Sequence, residues 1–223
     1  MMRIEAFRPD GDAPRYFGVY PAIVTSIVKD GESLGRIEVK FPWLGADGDG
    51  VRALATLCTP YADDNQGFEM IPAVDSQVVV AFEAGDLRRP YILGACWNGR
   101  AQLPEGAEEP NNKRLIRTRS GSLLEFDDTD GAAKITVSMQ SGHKLVLDDG
   151  AQEVKITHGN GCMVKMNAGG QVVINANATT EITAPTVNVH SAAAIFDGVI
   201  ECKGLITNSV ASASYTPGAG SIW

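Results

Sequence analysis

The chain has 223 residues and a mass of 23.7 kDa, enough for one large domain or two small ones without help from disulfides. Apolar residues make up 44% and charged residues 21%, which excludes a disordered chain, while a net charge of −8 and a pI near 4.9 argue against a sequence-independent nucleic-acid binder. Many glycines (24) and few aromatics (7%) suit short strands joined by turns.

The N-terminus, MMRIEAFRPDGDAPRY, carries charges where a secretory signal needs an apolar core, and no apolar run approaches the ~18 residues of a membrane span. The expectation is synthesis in the cytoplasm, with residues 1–14 as an extension. The cysteines, Cys58, Cys96, Cys162 and Cys202, are 38, 66 and 40 residues apart, with no CxxC pair. That spacing does not suit zinc, and each cysteine is expected as a small buried hydrophobe.

Residues 15–100 read as a small barrel. Tyr20-Pro-Ala-Ile-Val-Thr-Ser-Ile-Val28 is rich in β-branched residues, and Lys29-Asp30-Gly31 is a turn signal. In Arg36-Ile-Glu-Val-Lys-Phe41, Ile37, Val39 and Phe41 alternate with charges, the mark of a half-buried strand. Val51 to Cys58 is a third strand. Gln77-Val-Val-Val-Ala-Phe82 is apolar on both sides and reads as a central strand, and Pro90 to Trp97 is a fifth. Five short strands without an amphipathic helix fit an OB-like barrel, with an SH3-like barrel giving similar spacing. Trp43 and Trp97 are large apolar groups for core packing or for contact with a neighbouring hub.

Residues 101–114, AQLPEGAEEPNNKR, lack periodicity and read as a linker. Charge shifts across it. Residues 1–110 hold 10 basic and 17 acidic side chains, and the remainder holds 9 and 10.

Residues 115–210 have another texture. Short alternating segments follow each other: Leu123–Asp127, Lys134–Met139, Lys144–Leu147, Glu153–Thr157, Cys162–Met166 and Gln171–Asn175. Glu181–Thr183, Val187–Val189, Ala194–Asp197 and Val199–Lys203 continue the series at a shorter spacing. Each has only one or two large apolar residues on one side, too few for a single chain to enclose a core. Sharing the interior between copies solves this, so the expectation is an intertwined oligomer, most simply a trimeric β-helix or β-prism. About 11 strands stacked at ~4.8 Å would make a shaft on the order of 50 Å long. Ile135, Val137, Leu145, Leu147, Val154 and Ile156, alternating with polar partners, are expected to face the shared axis. Residues 211–223 form a tip segment ending on Ile222 and Trp223, an apolar pair suited to closing the shaft or seating a partner.

Three ordered motifs make the barrel recognisable. They are Leu34-Gly-Arg-Ile-Glu-Val-Lys-Phe-Pro-Trp43, Ile71-Pro-Ala-Val-Asp-Ser-Gln-Val-Val-Val-Ala-Phe82 and Gly85-Asp-Leu-Arg-Arg-Pro-Tyr-Ile-Leu-Gly94. This closely resembles the OB domain of the VgrG and phage baseplate assembly protein V families, with Asp75 where those families usually have glycine. Ile116 to Asp128 resembles the lead-in to the family's spike, and Ser214 to Trp223 the tails of short phage-type spikes. The resemblance implies a trimeric, membrane-puncturing central spike of a contractile tail or injection machine, in a phage tail, tailocin or extracellular injection particle. Sheath contraction would drive it through the target envelope. Only about 15 residues precede the barrel, so a separate hub or baseplate protein is implied, with a basic surface to meet the acidic barrels, and a PAAR-like protein at the tip.

No nucleophile, metalloprotease or phosphate-loop motif occurs in the sequence, so neither a catalytic role nor a cofactor is expected. Glu38 and Glu69 are an acid–base pair only if something fixes their separation. His143, His158 and His190 are isolated in sequence. His190 is the one weak metal candidate, through meeting its copies on a threefold axis. Asp127, Asp128, Asp130, Asp148 and Asp149 lie in turn contexts without the calcium repeat. The rival function is a carbohydrate-binding adhesin or tail-fibre-like module. A polysaccharide lyase fits less well, since that chemistry needs acidic clefts with basic residues on longer chains.

Overall fold

The computed structural model describes residues 14–27, 35–45 and 50–212. The Lys29-Asp30-Gly31 turn and the Ile222–Trp223 tip lie outside them.

Among the described residues all the regular structure is β apart from one short 3₁₀ turn. The first five main strands form a closed barrel: β1 (Val19–Ser26), β2 (Arg36–Lys40), β3 (Arg52–Leu57), β6 (Gln77–Phe82) and β7 (Pro90–Ala95), in the order β1-β2-β3-β7-β6. A small hairpin, β4 (Ala62–Asp63) and β5 (Gln66–Gly67), lies between β3 and β6. β3 and β7 pair in parallel and the other barrel neighbours are antiparallel. Closure leaves no unpaired edge, which is how so small a sheet stays solitary.

Alternation decides what fills the barrel. Ala22 and Val24 of β1, Ile37 and Val39 of β2, Ala55 of β3, Ile92 of β7 and neighbouring Phe41 point inward and are buried. β6 differs from its expectation as a strand covered on both sides. Val78, Val80 and Phe82 are buried while Val79 and Ala81 are half-exposed, because a barrel has one interior.

The Gly85-Asp86 turn follows β6. Gly85 has φ +79°, and a Cβ there would stand 3.1 Å from both Arg15 Cβ and the Tyr16 nitrogen, so glycine is required. The Asp86 carboxylate accepts the Arg88 backbone N–H at 2.9 Å and pairs with the Arg88 guanidinium at 2.8 Å. These bonds hold its pKa at about 2, down from an ordinary 3.8. Pro90, fully buried, then starts β7.

Seven further strands form one antiparallel meander in chain order: β8 (Lys113–Arg117), β9 (Leu123–Asp127), β10 (Lys134–Ser138), β11 (Lys144–Asp148), β12 (Glu153–Thr157), β13 (Met163–Met166) and β14 (Val172–Asn175). β8 begins inside the stretch read as linker. That linker is tied to it, because Glu105 pairs with Lys113 at 3.0 Å and with Arg117 at 3.8 Å.

The chain separates into two compact units, residues 1–174 and 175–223. The second unit overturns one expectation. The four short segments between Glu181 and Lys203 are not strands, and the described residues 176–212 form none. Segments of three to five residues separated by so few others do not fold back into hairpins, so alternation finds no ladder partner within the chain. Ile182, Val189, Ile195, Val199 and Ile206 are therefore exposed.

Candidate oligomer interface on the seven-stranded sheet

Register assigns each side chain to one face of the sheet. Ile135 pairs with Phe126 and Leu147, and Val137 with Leu124 and Leu145. Leu145 pairs with Ile156, Leu147 with Val154, Val154 with Met166 and Ile156 with Val164. Directly paired residues share a face, so all six residues expected at the shaft interior lie on one apolar face with Leu124, Phe126, Val164 and Met166. Val137 is 42% exposed, Leu147 41% and Ile156 52%. Among the described residues of one chain, these side chains remain partly open to solvent.

The opposite face is polar and better covered. Asp127 stands opposite Lys134 and Lys113, and Lys165 pairs with Glu153 at 3.5 Å. Asp127 is buried. Its carboxylate accepts the Thr129 hydroxyl at 2.5 Å and the Thr129 N–H at 3.1 Å, which hold its pKa below the usual range. Thr136 is buried in the same face.

One turn design recurs four times, the first three copies along one margin of the sheet and the fourth on the opposite margin. In each of Thr118–Ser122, Met139–His143, His158–Cys162 and Asn167–Gln171, the first residue's N–H bonds the fifth residue's carbonyl, and the fourth, a glycine, bonds back to the first. Those glycines all have positive φ, from 71° to 96°. The turns stack closely. A Cβ on Gly159 would collide with the Ser141 carbonyl, and on the opposite margin a Cβ on Gly150 would come within 2.6 Å of the Gly131 carbonyl.

The stacking produces a contact that linear spacing hid. His143 and His158, fifteen residues apart, have ring centroids 4.3 Å apart. The signal available in the sequence was the repeated five-residue turn, with one histidine closing its second copy and another opening its third.

The remaining candidates scatter. Trp43 belongs to the barrel: it stacks on Tyr20 at 4.8 Å, approaches Tyr16 and Phe41, and donates its indole N–H to the Pro21 carbonyl at 2.9 Å. Trp97 is 61% exposed and lines a cleft of about 400 Å³ with Leu103, Glu105, Lys113 and Asp127. Glu38 is held by the Thr25 hydroxyl at 2.6 Å and by Arg52 at 3.3 Å, a surface clasp between strands. His190 is exposed in an irregular stretch, and no group of three metal-ligating side chains occurs among the described residues.

Comparison with known proteins agrees with this geometry. Residues 20–97 match the type VI secretion system/phage-baseplate injector OB domain, and residues 113–194 match the phage baseplate V C-terminal trimerisation domain. Three relatives illustrate the reach of the similarity. The type VI secretion system spike protein VgrG3 of Vibrio cholerae is 25% identical over 146 residues, covering 60% of this chain and 14% of the relative. The actin cross-linking toxin VgrG1 of the same species is 23% identical over 188 residues, 77% of this chain and 17% of the relative. The spike protein VgrG5 of Pseudomonas aeruginosa is 27% identical over 149 residues, 60% of this chain and 19% of the relative. The matched stretches thus span less than a fifth of these relatives' own lengths.

Proposed function

As the chain belongs to the phage baseplate V and VgrG-like family of spike proteins, we propose that it is the central spike of a contractile tail or injection machine, working as a homotrimer. It would be made in the cytoplasm and assembled into a phage tail, tailocin or injection particle. A separate hub or baseplate protein would carry the three OB barrels, and sheath contraction would drive the shaft through the target membrane.

The observation that carries this reading is the uncovered apolar face of the seven-stranded sheet. Leu124, Phe126, Val137, Leu147 and Ile156 form a continuous stripe, and three copies facing inward would bury it while leaving the charged faces in water. The match to a trimerisation domain over the same residues supports three copies rather than two. The role is structural: binding energy is stored along the shaft, and many strand pairings must break together before it bends.

Light scattering on the full chain tests the core of the proposal. A mass near three times 23.7 kDa is expected, and a monomer at micromolar concentration would overturn it. The partners are tested separately. A chain ending at Gly220 is expected to remain trimeric while losing a co-expressed PAAR-like tip protein, since Ile222 and Trp223 are the proposed platform. An unchanged complex would remove the tip assignment.

A further inference from the structure

The outer surface of the barrel is not uniform. Outward positions on β2 and β3 carry both signs, Arg36, Glu38, Lys40 and Arg52, and Glu38 pairs with Arg52. The stretch that follows differs. From Ala53 to Leu87 the sequence holds six carboxylates, Asp63, Asp64, Glu69, Asp75, Glu83 and Asp86, and no lysine, arginine or histidine. Glu83 and Asp86 are paired by Arg89 and Arg88 just beyond its end. Asp63, Asp64 and Glu69 are exposed, and among the described residues no ion pair reaches them.

The same stretch displays apolar side chains. Tyr61, Phe68, Met70, Ile71 and Val74 are each about half exposed. The β4–β5 hairpin organises the first two. Ala62 pairs with Gly67 and Asp63 with Gln66, and the Phe68 N–H donates to the Tyr61 carbonyl at 2.9 Å. Tyr61 and Phe68 thus stand opposite each other on one face. The Tyr61 hydroxyl donates to Gln66 Oε1 at 2.8 Å, and the Thr59 hydroxyl to the Phe68 carbonyl at 2.6 Å. The hairpin is braced by its own bonds, without a core to bury its rings. A lone exposed apolar side chain is ordinary, but five within residues 61–74, two of them paired rings, mark a surface shaped for contact.

We propose that this arm, residues 61–74, docks a partner protein whose surface has an apolar hollow rimmed by lysine or arginine. The proposal rests on the spike reading, in which that partner is the separate hub or baseplate protein carrying the barrels. Charge selects the occupant. A second copy of the chain would set Asp63, Asp64 and Glu69 against the same three carboxylates, and like charges across an interface are penalised. The apolar face of the seven-stranded sheet is the better meeting place for copies. A basic partner meets all three carboxylates favourably and takes Tyr61 and Phe68 out of water. The rings supply most of the affinity, while the carboxylates steer the encounter and set its orientation.

The test uses the intact chain in native particles. The photo-crosslinker benzoylphenylalanine is placed at Phe68 and, separately, at Leu54, an outward position paired with Glu38 on the β2–β3 side. Phe68 is expected to give an adduct with a hub or baseplate protein through a peptide rich in lysine or arginine, at several times the yield from Leu54. An adduct between copies of this chain, no adduct, or an equal yield from Leu54 would overturn the docking surface. Absence of the chain from the particles would instead overturn the spike reading, and the proposal with it. The partner so identified is then purified for binding. Phe68→Ser and Asp63→Lys are each expected to weaken it at least about tenfold, with trimer mass and barrel melting unchanged. High salt should erase most of the Asp63→Lys effect and leave that of Phe68→Ser. Undiminished binding in either variant would overturn the proposal.

Discussion

The barrel and the seven-stranded sheet use the same alternation to opposite ends. In the barrel, Val24, Val39, Val78, Val80 and Ile92 are completely buried within one chain, and closure pairs every strand edge. In the sheet, Val137, Leu147 and Ile156 alternate just as regularly yet remain about half exposed. The difference is closure. A five-stranded sheet bent into a ring has an inside, whereas a flat meander has two outsides until other chains cover one of them. The barrel is thus self-sufficient, and the sheet defers part of its stability to association. Barrel stability should be indifferent to protein concentration, and sheet stability should rise with it.

The sharpest way to break this contrast is Val137→Asp. The residue lies mid-sheet between Leu124 and Leu145, so the carboxylate would enter an apolar layer in every chain. Burying an unpaired charge costs several kcal/mol. The expected outcome is loss of the trimer in light scattering with the barrel still folded by near-UV dichroism of its aromatic cluster. A heat-stable trimer would mean this face is not the one that associates.

Ile92→Ala probes the other side. Ile92 is fully buried, and truncation should cost about 2–5 kcal/mol through lost burial and a cavity. The predicted drop in barrel unfolding temperature should be the same at low and high protein concentration. A concentration-dependent drop would show that the barrel too leans on its neighbours.

The comparison also explains what could be read from sequence. All five barrel strands were legible, because each is a short run of alternating or β-branched apolar residues and the Gly85-Asp86 and Pro90 signals punctuate them, although the unbroken apolar run of β6 hid which of its sides faces inward. The sheet from Leu123 to Asn175 was legible for the same reason. β8 was not, because Lys113-Arg-Leu-Ile-Arg117 offers two adjacent apolar residues among three cations, which carries no period of two. The distal segments from Glu181 to Lys203 failed in the other direction. Their alternation is clear, but a strand is defined by a hydrogen-bonded partner, and none lies among the described residues of one chain. Of the candidate site, the six-residue apolar face follows from alternation alone. The His143–His158 contact requires the register of β11 against β12, which no local pattern supplies.

A smaller effect separates the regions by pH. The Asp86 carboxylate, at about pKa 2 in the folded barrel, is stabilised in its charged form by Arg88. A carboxylate whose folded pKa lies below its unfolded value contributes stability above about pH 4 and loses it as pH falls toward 2. Asp86→Asn should lower the barrel's melting temperature slightly at pH 7 and flatten its acid slope between pH 4 and 2. Unchanged acid sensitivity in that window would assign the slope to other carboxylates. Sheet melting should not respond to this substitution.

The smallest expected effect is a gain. Asp75 precedes β6 with φ +68°, a left-handed conformation that costs an L-residue roughly 1–2 kcal/mol and glycine almost nothing. It is the position where the resembling families usually have glycine, so the turn keeps a glycine-type backbone with aspartate in it. The turn is fixed by the Asp75 N–H donating to the Val24 carbonyl and the Ser76 N–H donating to the Ala73 carbonyl, neither of which needs a side chain. Asp75→Gly retains both bonds and relieves the backbone, while the greater freedom of glycine in the unfolded chain takes back part of the gain. The net expectation is a stabilisation of at most about 1 kcal/mol, confined to the barrel and visible as a higher denaturant midpoint with an unchanged slope. A destabilised variant would show that the aspartate side chain holds the turn by a contact worth more than the strain.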